Sequence, residues 1–119
     1  MIRLASKAAD HSTYIYRLGA VITKGKRVLS TGYNRIAYSP LNRGFNNSVH
    51  AEMDAILKVM RKPDGLSSLA GSTLYVSRLT KKGTGLARPC HKCWELMLAV
   101  GISEVIYTTV NGTTKEKVS

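Results

Sequence analysis

His50-Ala51-Glu52-Met53-Asp54-Ala55-Ile56-Leu57-Lys58-Val59-Met60 is one of the two stretches that decide how this chain folds; the other is Pro89-Cys90-His91-Lys92-Cys93. In the first, Ala55, Ile56, Val59 and Met60 fall at helical spacing on one apolar stripe, which predicts a helix with His50 and Glu52 in its opening turn. In the second, proline suits the first helical turn, so Cys90 and Cys93 stand at i and i+3 on one face. Two helix starts then confront each other, one bringing an imidazole and a carboxylate, the other a pair of thiols.

That donor set points to a metal. Zinc in a catalytic role takes three protein ligands and leaves its fourth position to water, whose pKa it lowers towards neutrality. His50, Cys90 and Cys93 meet that count for one zinc ion, and the positive end of a helix favours the thiolate that zinc needs. Glu52, two residues from the imidazole, can reach the water beside the metal instead of the metal. A lone C-x-x-C also serves redox pairs and halves of structural zinc sites. A structural site, however, is closed by a fourth ligand, whereas this chain has only these two cysteines, and His11 and His91 lack a paired spacing. A redox pair leaves His50 and Glu52 without a task.

With His50-Ala51-Glu52 and Pro89-Cys90-His91-Lys92-Cys93 in this order, the chain resembles the cytidine and deoxycytidylate deaminase superfamily, which also holds tRNA adenosine deaminases and polynucleotide cytosine deaminases. Gly32-Tyr33-Asn34 is similar to the family's turn after its second strand, and Gly101 to Tyr107 to the loop and strand after its cysteine helix. The resemblance implies that Glu52 shuttles protons to the ring nitrogen and to departing ammonia, that Asn34 contacts the sugar, and that Ala51 borders the base. Arg35 stands where deoxycytidylate deaminases usually have glycine, and the basic excursion Lys81-Lys82-Gly83-Thr84-Gly85 replaces a shorter approach to the cysteines.

Composition fits one domain spanning residues 1–119. Hydrophobic residues make up 44%, too many for a disordered chain. No apolar run approaches the length of a membrane span or a secretory signal, and the cysteines leave nothing for a disulfide framework, so a reducing cytoplasm is expected. Outside the two motifs, Ile2 to Ser12 reads as a helix. Leu18–Thr23 and Arg27–Thr31 read as strands joined through Lys24-Gly25-Lys26. Ser72–Ser77 and Glu104–Thr109 are two further strands. Arg35 to Val49 and Leu79 to Arg88 read as exposed loops. Strands alternating with helices after an opening hairpin predict a three-layer α/β/α sandwich with a mixed central sheet. The family usually has a fifth strand, and the polar residues after Thr109 show no sign of one. An uncovered sheet edge, and with it a homo-oligomer, is the expectation.

Charge bears on the substrate. Eighteen Lys and Arg against seven Asp and Glu give a net +11, which favours a phosphate-bearing partner. Arg35 and Arg43 in the first loop and Arg88 beside the cysteines are expected at the pocket mouth, with Tyr38 and Phe45 as stacking surfaces for unpaired bases. For Tyr33 and Trp94, core packing is the simpler role. The favoured reading is deamination of cytosine in a single-stranded polynucleotide, DNA or RNA; the alternative is free cytidine or its monophosphates. A tRNA adenosine deaminase and a non-catalytic zinc-stabilised nucleic-acid binding module are lesser alternatives, and the intact Glu52 speaks against the latter.

Overall fold

The computed structural model describes residues 1–12, 17–37 and 47–118. A helix, α1 (Ile2–Asp10), precedes a hairpin of β1 (Arg17–Lys24) and β2 (Arg27–Tyr33). The pair Lys24↔Arg27 closes it, with Gly25 at φ 62°, a left-handed turn conformation that glycine adopts without strain. Short strands β3 (Arg35–Ala37) and β4 (Asn47–Val49) pair with each other and lead into α2 (Ala51–Met60). After α3 (Gly65–Leu69) come β5 (Thr73–Thr80), β6 (Gly83–Gly85), α4 (His91–Val100), β7 (Glu104–Thr109) and β8 (Gly112–Lys117).

The main sheet runs β2-β1-β5-β7-β8, with β6 folded back on β5. Only the β5/β7 pair is parallel, so the sheet is mixed as expected. Its two faces are set by neighbouring glycines. A Cβ on Gly19 would lie 2.0 Å from the Ala5 carbonyl oxygen of α1, and one on Gly32 would lie 2.6 Å from the Ala51 carbonyl oxygen of α2. Gly19 pairs across the hairpin with Tyr33, and Gly32 with Ala20, so the two glycines point to opposite faces. Helices therefore cover both sides. Beneath α2 and α4, Ala20, Ile22, Leu74, Val76 and Val105 pack with Ala55, Ile56, Val59 and Met97. Each fully buried large side chain here contributes roughly 1.5–3 kcal/mol.

Four expectations change. The polar tail forms β8, paired with β7 through the two-residue turn Val110-Asn111, so the fifth strand is present, β7 is covered, and the sheet edge on that side is β8. Its side chains are mostly exposed on both faces, which is why no hydrophobic alternation announces it, although Asn111-Gly112 is a hairpin signal. The presumed loop from Arg35 to Val49 is a ribbon at its base. Half of the second presumed loop is strand, because β5 continues to Thr80 and returns as β6. Met60, expected in the core stripe of α2, is 39% exposed. Among the described residues no helix is long and apolar enough to cross a membrane.

Candidate active site

Two helix starts form the site, and in both cases the key residue sits just outside the first turn. His50 is the N-cap of α2 and Cys90 the N-cap of α4, both in extended backbone. Their carbonyls accept the first helical hydrogen bonds, from Asp54 at 2.9 Å and from Trp94 at 2.9 Å. Pro89 thus precedes the helix instead of opening it, and neither side chain caps its own helix, which leaves imidazole and thiol available for another partner.

That partner is a metal ion. His50 Nδ1 stands 3.2 Å from Cys93 Sγ and 3.6 Å from Cys90 Sγ, and all three donors lie within 4.8 Å of one another. A tetrahedral zinc with ordinary bond lengths separates its nitrogen and sulfur ligands by about 3.6 Å. The His50–Cys90 separation equals this value and the His50–Cys93 separation is a few tenths of an ångström shorter, so the three donors are placed to hold one zinc ion. Cys93 is fully buried and Cys90 exposed, so the cluster opens to solvent on the Cys90 side.

Glu52 lies against the cluster. It is 4% exposed, and its carboxyl hydrogen-bonds with the Cys93 side chain. Burial raises its pKa above the usual carboxylate range, against the lowering effects of its backbone, Cys93 and His50. Burial also pushes the Cys93 thiol up, and the Glu52 charge adds to this.

α2 runs antiparallel to β2: Lys62 Nζ donates to Leu29 O, Lys58 Nζ to Thr31 O, and Gly32 approaches Ala51. The next residues of β2 lead towards His50, which puts Asn34 at the metal end of α2. Asn34 is buried, and its carboxamide oxygen accepts the Leu18 N–H at 2.8 Å, which fixes the orientation of the side chain. Arg35 is tied to Asp54 at 2.8 Å and lies over the Tyr33 ring at 5.5 Å. Arg88 is paired with Glu116 at 2.7 Å and stacks on Trp94. Two of the three guanidinium groups expected at the pocket mouth, those of Arg35 and Arg88, therefore have carboxylate partners within the chain. Tyr38, Arg43 and Phe45 lie outside the described residues. Asp54 and Glu116 were not singled out in the sequence. Asp54 lies on the predicted helix, but its partners Tyr33 and Arg35 belong to another element, and only the Asn111-Gly112 turn hints at the strand that carries Glu116.

Fold and site together define a zinc-binding nucleobase deaminase. Residues 1–109 match the cytidine and deoxycytidylate deaminase zinc-binding region, and the chain belongs to that family of hydrolytic deaminases. It is 32% identical over 112 residues to a deoxycytidylate deaminase from Mycobacterium phage D29, covering 76% of this chain and 77% of that one. The fold matches the dCMP deaminase of cyanophage S-TIM5 with a TM-score of 0.66 at 21% identity, over 91% of this chain and 79% of the other. It also matches the cytidine deaminase of Burkholderia pseudomallei with a TM-score of 0.70 at 18% identity, over 98% and 89%.

Proposed function

We propose that this chain hydrolytically deaminates deoxycytidine monophosphate to deoxyuridine monophosphate. The observation that carries the reading is the 32% identity to a deoxycytidylate deaminase along three quarters of both chains. A likeness in fold to a dCMP deaminase solved with dCMP and dUMP agrees with it. The polynucleotide reading loses part of its support, because Arg35 and Arg88 are engaged with Asp54 and Glu116.

When bound, zinc supplies Lewis acidity and a water activated near neutral pH. The chain's own residues handle substrate and protons. Buried Glu52, which holds a proton more readily than an exposed carboxyl, gives one to the ring nitrogen beside the amine-bearing carbon, recovers one from the attacking water and passes it to departing ammonia, and takes back the last as the new oxygen becomes a carbonyl. Ala51, the first residue of α2, and Asn34, which follows β2, border the base and sugar. A reducing compartment keeps both thiols free for metal. Self-association belongs to the same reading, on the footing of exposed Leu57, Met60 and Leu98 instead of an uncovered β7; a single monomer mass by light scattering at micromolar concentration would remove it.

The test is incubation of the zinc-loaded protein with dCMP, cytidine and a cytosine-containing oligodeoxynucleotide, followed by mass spectrometry for the gain of about one dalton as amine becomes carbonyl. Turnover of dCMP well above the other two is expected. Turnover of the oligonucleotide with none of dCMP would restore the polynucleotide reading.

A further inference from the structure

Arg88 and Trp94 bracket the two sulfur ligands along the chain, and they touch. The Arg88 guanidinium carbon lies 4.6 Å from the centre of the Trp94 ring, which closes the segment from 88 to 94 into a loop with Cys90 and Cys93 inside it. Trp94 is anchored by packing against the core. Glu116, on β8, holds the other side of the guanidinium: Arg88 Nε donates to Oε2 at 2.7 Å and Nη2 to Oε1 at 3.4 Å. The Tyr107 hydroxyl donates to the same Oε2 at 2.7 Å, and the Ala87 N–H donates to the Thr108 carbonyl at 2.9 Å. Two adjacent strands thus grip the residues leading into Cys90.

Cys90 needs such support. It is exposed, lies ahead of the first turn of α4 and makes no side-chain cap, so the rigidity of the helix does not extend to it. An ordinary surface ion pair would do little, because two long side chains gain modest energy and lose freedom. This one is two-pronged, shared with a tyrosine hydroxyl and stacked on an indole, an arrangement that fixes a guanidinium plane instead of merely attracting it.

We propose that Glu116 is a positioning residue for the metal centre: through Arg88 and Trp94 it holds the Cys90 and Cys93 thiols at zinc-binding separation. The inference rests on the reading of His50, Cys90 and Cys93 as zinc ligands. It gives Arg88 a place beside the metal turn that requires no contact with substrate.

The experiment measures zinc affinity by competition with a chromophoric chelator for the wild type and for E116A, E116Q, R88A, the double variant R88A/E116A, K117A and H50A. The sulfur-to-metal absorption of the cobalt-substituted proteins is recorded in parallel. Loss of a group that orients metal ligands typically weakens binding about 10- to 100-fold. E116A and R88A are each expected near the lower end of that range with a shifted cobalt spectrum, E116Q in between, and K117A unchanged. The double variant should be no weaker than the worse single one, because both substitutions break one chain of contacts. Wild-type affinity and spectrum in E116A and E116Q, or additive losses in the double variant, would overturn the proposal. Wild-type zinc affinity in H50A would instead overturn the assignment of the metal ligands, which keeps the two failures apart.

Discussion

The imidazole of His50 and the thiol of Cys90 occupy equivalent places on two helices, each the residue before the first turn, and their ligand atoms meet at 3.6 Å. Neither is spent on capping, and each stands at the positive end of its helix, where negative charge on a ligand is stabilised. The packing of α2 and α4 on one face of the sheet therefore creates the metal site.

His50→Ala, Cys90→Ser and Cys93→Ser are expected to lose zinc and turnover together, whereas Glu52→Gln keeps the metal and loses turnover. A positioned proton carrier typically contributes about 10²–10⁴-fold. Bound zinc by atomic emission and ammonia release from the same samples check this. A Glu52→Gln enzyme with near wild-type turnover would remove Glu52 from the chemistry.

Asp54 links α2 to the end of β2 and the start of the β3/β4 ribbon, accepting the Tyr33 N–H at 3.2 Å and pairing with Arg35 at 2.8 Å and Lys58 at 3.3 Å. Burial alone would raise its pKa; the hydrogen bonds and charges of these partners outweigh that and hold it below its ordinary 3.8. A carboxylate with a depressed folded pKa adds stability that is fully present above its unfolded value and is lost as pH falls through the folded one. Asp54→Asn should cost about 1–3 kcal/mol near neutral pH. In melting curves from pH 7 downward, its deficit relative to wild type should shrink below about pH 4. A deficit that stays constant across that range would mean the carboxylate charge is not what holds the ribbon.

Gly32→Ala places a methyl group 2.6 Å from the Ala51 carbonyl oxygen and 2.7 Å from the Ala55 nitrogen, so β2 and the start of α2 must part. Overpacking of this kind costs about 1–3 kcal/mol. Because the displaced turn follows His50, zinc affinity should fall along with the melting temperature. Unfolding of the metal-stripped and zinc-loaded variant would show both effects; a variant with wild-type zinc affinity would separate the helix start from the ligand geometry.

Val118, which follows β8, is 6% exposed and packs in the main core, with its N–H donated to the Ser103 carbonyl at 3.0 Å. Val118→Ala should cost about 2 kcal/mol through lost burial and a small cavity. Denaturant unfolding with no measurable loss would contradict the placement of the final strand.

The residue types and short spacings by themselves determined the donor set, the two helices that carry it, the opening hairpin and the mixed sheet. These are local properties: helical periodicity, a glycine turn and the preference of zinc for imidazole and thiolate are each written within a few consecutive positions. Only the tertiary structure decided the rest. β8 is a polar edge strand whose partner supplies the pairing that its own pattern does not show, and the β3/β4 ribbon joins residues separated by an aperiodic stretch. The roles of Arg35 and Arg88 changed for the same reason. Their partners, Asp54 and Glu116, belong to other elements, and Glu116 lies 28 residues away along the chain. Coulomb attraction and stacking act through space, so a basic residue read in sequence shows its charge but not the carboxylate that the fold brings to it.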